Sequence, residues 1–116
     1  MQRLASQDID NITFDGYQFN ARQFAVDLGR DQAIFHGVLG LCGEAGEIAE
    51  KAKKWIRDGK PLDPEDIKKE LGDVLWYIAY TAGLFGFNLS DVAGTNYAKL
   101  SSRKERNVLS GSGDDR

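Results

Sequence analysis

The chain has 116 residues, of which 41% are hydrophobic and 28% charged, the balance of one ordinary globular domain. Its 18 acids against 15 bases leave a net charge of −3, which excludes a strongly basic nucleic-acid binder. One Cys (Cys42) and one His (His36) exclude a disulfide scaffold and a Cys/His zinc cluster, so carboxylates must supply nearly all the ligands of any bound metal.

The opening MQRLASQDID lacks the basic start and apolar centre of a signal peptide, and no run of about 18 apolar residues follows. A cytoplasmic protein with no membrane or nucleic-acid partner is therefore expected. Residues 1–13 read as a polar, irregular lead-in containing Asp8, Asp10 and Asn11. Asp15-Gly16 marks a turn or helix start. Tyr17, Phe19, Phe24 and Leu28 are spaced for a short amphipathic helix ending near Gly29.

A long helix is predicted from about Gln32 to Arg57. Val38, Leu41/Cys42, Ala45, Ile48/Ala49, Ala52 and Trp55/Ile56 recur at three- and four-residue steps and mark its apolar stripe. On that stripe Cys42 is read as a buried helix residue rather than a nucleophile, and Trp55 either packs in the core, the favoured reading, or stacks on a ligand ring. Glycines at positions 37, 40, 43 and 46 admit two readings: the helix starts after Gly40, or small residues let another helix or a ligand approach closely. Asp58-Gly59-Lys60-Pro61 stops this helix, with Gly at the cap and Pro beyond it. Asp63-Pro64-Glu65-Asp66 opens the next, with Asp63 as cap, Pro64 in the first position and acids at the positive helix end. Its stripe is Ile67, Leu71, Val74/Leu75, Ile78 and Ala82, and it runs to about Phe85 before Gly86. Asn88 or Ser90 caps a last helix bearing Val92, Ala93, Tyr97 and Leu100. No alternating strand pattern of useful length occurs. The expected fold is all-α, about four helices in an antiparallel bundle, with the domain over residues 1–104 and a flexible tail over 105–116.

The first long helix carries Glu44 and Glu47, and the second carries Glu70 and Asp73. Three residues of α-helix turn the chain by about 60° net and raise it about 4.5 Å, so each pair leans to one face. The short connection between the helices makes them antiparallel neighbours, which brings the two pairs together. Four such charges repel unless neutralised, and a hard divalent cation with oxygen ligands does this. A solvated helix face explains an isolated acid pair equally well. Against that, Glu70 and Asp73 adjoin the apolar run Leu71–Leu84, where idle acids are costly. Glu50 continues the three-residue step as a third ligand, a base for water, or a solvated acid. A di-iron bundle needs Glu-x-x-His steps, which the single His36 does not provide.

Leu39-Gly-Leu-Cys-Gly-Glu-Ala-Gly-Glu-Ile-Ala-Glu50 followed by Lys69-Glu-Leu-Gly-Asp-Val-Leu-Trp-Tyr77 resembles the MazG-type nucleotide pyrophosphohydrolases, within the all-α nucleoside triphosphate pyrophosphatase superfamily. The signature is E-x-x-E, a spacer, then E-x-x-D. Phe14-Asp-Gly-Tyr-Gln18 and Asn96-Tyr-Ala-Lys-Leu-Ser-Ser-Arg103 extend the likeness over roughly residues 14–104. It implies hydrolysis of a (deoxy)nucleoside triphosphate to the monophosphate and pyrophosphate with Mg²⁺ (Mn²⁺ as substitute), in a bundle that assembles as a homodimer or homotetramer. By position it implies Glu44, Glu47, Glu70 and Asp73 as metal ligands, and Lys99 and Arg103 as phosphate contacts. Asn96 would touch the nucleotide, Tyr77 would lie on the site side, and Lys54 would hold phosphate. Water would be activated by the metal or by a free acid such as Glu47 or Glu50. Many members follow the closing Arg with an aromatic residue and a proline, where this chain has Lys104-Glu105-Arg106. The alternatives are a non-catalytic helical module that binds nucleotides or a partner protein, and a phosphohydrolase acting on a phosphoribosyl-nucleotide.

Overall fold

The computed structural model describes residue 9 and residues 11–116, so Asp8 and Asp10 of the expected lead-in lie outside the described residues. Four α-helices follow one another: α1 (Phe14–Ala21), α2 (Arg30–Asp58), α3 (Pro64–Leu84) and α4 (Leu89–Glu105). A 3₁₀ turn, Arg22–Phe24, extends α1, and no strand occurs among the described residues. The fold is all-α, as the periodicity requires.

The helix ends follow from local chemistry. Thr13 Oγ1 accepts from Gly16 N at 3.0 Å and caps α1. Asp63 Oδ1 accepts from Glu65 N at 3.0 Å and caps α3, with Pro64 in the first position. Gly59, at φ 68°, closes α2 with its N–H on Trp55 O. Gly86, at φ 79°, closes α3 and is followed by a bond from Phe87 N to Ala82 O. Asn88 starts α4, its own N–H held by Asp91 Oδ2 at 3.1 Å.

The expected helix reaching Gly29 is shorter in the structure. Regular structure stops at Phe24, and residues 25–29 are non-helical. Gly29 is extended (φ −60°, ψ 155°) and starts α2 rather than ending α1. The apolar residues of this stretch do not make one buried stripe: Phe24 is 72% exposed.

α2 and α3 form the largest interface, an antiparallel pair, while α1 and α4 pack on α3 and on each other. Contacts descend α3 as they ascend α2: Gly37 meets Tyr80 and Thr81, Gly40 meets Tyr77, and Lys51 meets Glu70 and Asp66. The glycine question is thereby resolved for two positions. The helix starts well before Gly40, so a late start is not the reason for the glycines. A Cβ on Gly40 would stand 2.1 Å from Tyr77 Cε1, and one on Gly37 2.6 Å from Thr81 Oγ1. Gly43 and Gly46 face no atom within 4 Å of such a Cβ.

Several expected stripe residues are not in the core, among them Leu71, Val92, Tyr97 and Leu100 as well as Trp55 and Cys42. Trp55 is 51% exposed and Cys42 is exposed. The face of α2 turned to α3 runs through Ala33, Gly37, Leu41, Glu44, Ile48 and Ala52. The apolar arc of α2 is wider than that face, so Phe35, Val38, Leu39 and Ile56 are left exposed. Ala21, Ala33, Ala79, Ala82 and Leu89 form the buried apolar centre.

A buried glutamine joins three elements there. Gln18 Nε2 donates to Ala79 O (3.1 Å) and Phe87 O (3.0 Å), while its Oε1 accepts from Leu89 N (2.9 Å). Asp15 accepts from Ser90 N and Oγ at the start of α4, and those bonds hold its carboxyl below the usual range. No described helix is long and apolar enough to cross a membrane. Beyond α4, Asn107 at φ 60° turns the chain back, with Val108 N on Arg103 O at 2.8 Å.

Candidate metal and nucleotide site

The antiparallel pairing of α2 and α3 sets Glu44 opposite Glu70 and Asp73. One carboxylate oxygen from each lies within 4.8 Å of the others. Glu44 and Glu70 are half-buried and Asp73 is exposed. Burial pushes the Glu44 carboxyl up from its ordinary value, and the charges of Asp73, Glu70 and Glu47 push in the same direction. The site thus concentrates negative charge that the protein itself leaves largely uncompensated. Lys51 offsets part of it from α2, with its Nζ 3.8 Å from Glu70 and 4.0 Å from Asp66. An all-oxygen donor set of this charge fits a hard divalent cation.

The other predicted acids are placed differently. Glu47 is exposed and outside the three-carboxylate group, although its charge reaches Glu44. Glu50 is engaged by Lys53 at 2.9 Å, a bond that lowers its carboxyl below the ordinary value. Lys54 is exposed on the same stretch of α2.

An open pocket of about 420 Å³ adjoins the carboxylates, lined by Phe24, Val26, His36, Trp76 and Tyr77 together with Glu44 and Asp73. Its wall is a set of interlocked rings. Trp76 stacks on Tyr80 (centroids 5.0 Å apart, 12° between planes) and meets Tyr77 edge-on at 4.9 Å. His36 meets Tyr77 edge-on at 5.8 Å. Trp76 Nε1 donates to Ala21 O at 3.1 Å, which anchors the indole to the end of α1. Tyr17 of α1 is coupled to the same site: burial raises its phenol, and the Asp73 charge raises it further.

Tyr77 lines this pocket beside Asp73. His36, Trp76, Phe24 and Val26 were not singled out by the sequence as site residues. Trp76 and Tyr77 follow Asp73 by about one turn, and His36 precedes Glu44 by about two, which is the helical signal that would have grouped them. Asn96 is exposed on α4. Lys99 and Arg103, the expected phosphate contacts, bind the chain's own C-terminal segment: Lys99 Nζ is 3.2 Å from Asp114 Oδ1, and Arg103 Nη2 donates to Asp114 O at 2.7 Å.

The fold is all-helical, and its central pair joins three carboxylates beside an aromatic pocket. Residues 36–108 match the model of the MazG nucleotide pyrophosphohydrolase domain, and the chain belongs to that family. It is also 41% identical over 111 residues to the "Gene 37 protein" of Mycobacterium phage L5, covering 88% of this chain and 97% of the relative. No solved structure matches the chain.

Proposed function

We propose that the protein hydrolyses a nucleoside or deoxynucleoside triphosphate to the monophosphate and pyrophosphate. The carrying observation is the convergence of Glu44, Glu70 and Asp73 beside the aromatic pocket. These three carboxylates would hold a divalent cation, Mg²⁺ or in its place Mn²⁺. When bound, such an ion supplies orientation of the triphosphate oxygens and neutralisation of their charge.

The chain's own residues account for the remaining requirements. Phe24, Val26, Trp76 and Tyr77 offer apolar and ring surface to a nucleobase, and His36 offers a ring nitrogen at the pocket edge. Glu47 is the better placed of the two proposed water-activating acids. It is exposed next to the cluster, whereas Glu50 is committed to Lys53. Lys54, Asn96, Lys99 and Arg103 are the proposed phosphate and nucleotide contacts, with the cationic ones offsetting charge on departing pyrophosphate. No side-chain nucleophile is needed, and Cys42 has no role in this reading.

The assembly is proposed to be a homodimer or homotetramer. Phe35 (68% exposed), Leu39 (69%) and Val38 (44%) form an apolar patch on α2 that a second copy would cover. The protein is proposed to act in the cytoplasm on a diffusible nucleotide.

The direct test is a panel of nucleoside triphosphates and phosphoribosyl-nucleotides incubated with protein and Mg²⁺, assayed for pyrophosphate and orthophosphate. Pyrophosphate release from at least one triphosphate, reduced at least about 100-fold in Glu70→Gln, is the expected result. Binding without turnover across the panel would instead identify a non-catalytic module. Turnover only of phosphoribosyl-nucleotides would move the protein to that substrate class.

A further inference from the structure

We propose that the C-terminal segment, residues 107–115, is an intramolecular occupant of an anion site on α4, and that a diphosphate group must displace it to bind Lys99 and Arg103. The inference rests on the proposed function for the diphosphate class alone. The clasp itself is a matter of geometry.

Lys99 and Arg103 lie one helical turn apart on α4. The Asp114 carboxylate accepts from both, with Oδ1 at 3.2 Å from Lys99 Nζ and 3.5 Å from Arg103 Nη2. Arg103 Nη2 also donates to the carbonyls of Gly113 (3.2 Å) and Asp114 (2.7 Å). The two cations hold the Asp114 carboxyl below its usual range, Lys99 contributing most. A carboxylate between a lysine and an arginine occupies the place that a phosphate oxygen takes in a charge-assisted pair.

The segment is built to return to α4. Asn107 adopts the left-handed conformation, and Val108 N and Asn107 N close back on Arg103 O and Lys104 O. Gly111 (φ 125°) and Gly113 (φ 85°) provide the further reversals. Arg116 braces the loop by donating to the carbonyls of Val108, Leu109 and Gly113, and Arg106 donates to Arg116 O at 2.9 Å.

The clasp is nevertheless an incomplete partner. Arg103 is only 4% exposed, yet its buried Nε has no hydrogen-bond partner among the described residues. A buried charged donor without a partner is costly, so the basic pair is only partly satisfied by the chain. Asp114 itself is 85% exposed, and surface ion pairs are individually weak and screened by salt. A di- or triphosphate brings more charge and more acceptor oxygens than one carboxylate. The segment therefore acts as a weak competitor that lowers apparent affinity for anions by the fraction of molecules in which it is docked.

The test uses the full chain and inorganic pyrophosphate, with affinity measured by calorimetry and segment protection by hydrogen exchange. Asp114→Ala and the near-isosteric Asp114→Asn are expected to bind pyrophosphate roughly three- to tenfold tighter than the wild type. Adding Lys99→Ala to either is expected to abolish the gain. Saturating pyrophosphate is expected to remove protection over residues 108–115 in the wild type. Unchanged affinity in both Asp114 variants, retained protection at saturation, or no pyrophosphate binding by any form would overturn the proposal. Tighter binding by the Asp114 variants with no triphosphate turned over by any form would sustain the clasp while refuting the proposed activity. Turnover by the wild type with unchanged Asp114-variant affinity would do the reverse.

Discussion

Gly40 and Gln18 show how much single residues decide here. A methyl on Gly40 would overlap the Tyr77 ring at 2.1 Å, so Tyr77 must move or α2 and α3 must part. Gly40→Ala gains about 1 kcal/mol of helix propensity, and the overlap outweighs it. The variant should have a lower melting temperature and, because Tyr77 lines the pocket, a raised KM for the nucleotide; a melting temperature equal to the wild type would contradict this. Gln18→Leu removes partners from two carbonyls and one N–H near the α3–α4 junction. It should cost roughly 2–4 kcal/mol in denaturant unfolding, since each buried orphan costs about 1–3 kcal/mol and relaxation recovers part of the sum. Glu44 contributes one pH-dependent effect at the carboxylate group. Its carboxyl is raised in the folded protein, chiefly by burial and then by Asp73, Glu70 and Glu47. The native state thus binds the proton more tightly than the unfolded chain. That contribution to the stability of metal-free protein is full below the ordinary glutamate value and is lost as pH rises through the raised value. A divalent cation competes with that proton, so the thermal stabilisation by Mg²⁺ should be larger at pH 7.5 than at pH 5.5. Equal shifts at the two pH values would count against metal binding at Glu44.

At the scale of elements, the α2–α3 pair brings the three carboxylates together, and α1 and α4 pack against α3. The register of the pair places Glu44 against Glu70 and Asp73, and the same register places Gly37 and Gly40 under the rings of Tyr80 and Tyr77. Glycine spacing and carboxylate spacing are thus two consequences of one packing. The ends of the helices were legible beforehand, since Asp63, Pro64, Gly59, Gly86 and Asn88 act through bonds within a few residues of themselves. The boundary near Gly29 was not. An extended glycine before a helix and a glycine after one look alike in sequence, and only the folded backbone shows which applies: Gly29 is extended and its carbonyl accepts from Ala33 N at 2.8 Å. Asn107 is a third kind of end, a left-handed non-glycine. Asn107→Gly should leave the turn intact and be neutral or slightly stabilising in a thermal melt, whereas Asn107→Val should lower the melting temperature and loosen residues 108–116 in hydrogen exchange.

At the scale of the molecule, the single chain leaves too much apolar surface uncovered for its size. Ile56 is 90% exposed and Tyr97 76%, in addition to the α2 patch. Among the described residues no large side chain is wholly buried, the centre being lined by alanines and Leu89. A second copy covering Phe35, Val38 and Leu39 would supply the missing apolar burial. Light scattering coupled to size exclusion should therefore report a dimer or tetramer, and Leu39→Lys should shift it toward monomer with a lower melting temperature. A wild-type monomer at micromolar concentration would remove this reading.

What the sequence by itself determined was local or periodic. Helix number, most caps, the pairing of α2 with α3 and the meeting of Glu44 with Glu70 and Asp73 follow from spacing, because i, i+3 geometry and a short connection leave few alternatives. Tertiary structure alone decided which side of each apolar arc is buried. That depends on a partner surface encoded far along the chain, so Trp55 and Cys42 emerged exposed. It also decided that Glu47 stands outside the three-carboxylate group, that Lys51 bridges to Glu70, and that His36 joins Trp76 at one pocket. Most of all it decided what Lys99 and Arg103 hold. Their charge is plain in the sequence, but the carboxylate that answers it lies 15 residues from Lys99 and 11 from Arg103, across a reversal that only the folded chain makes.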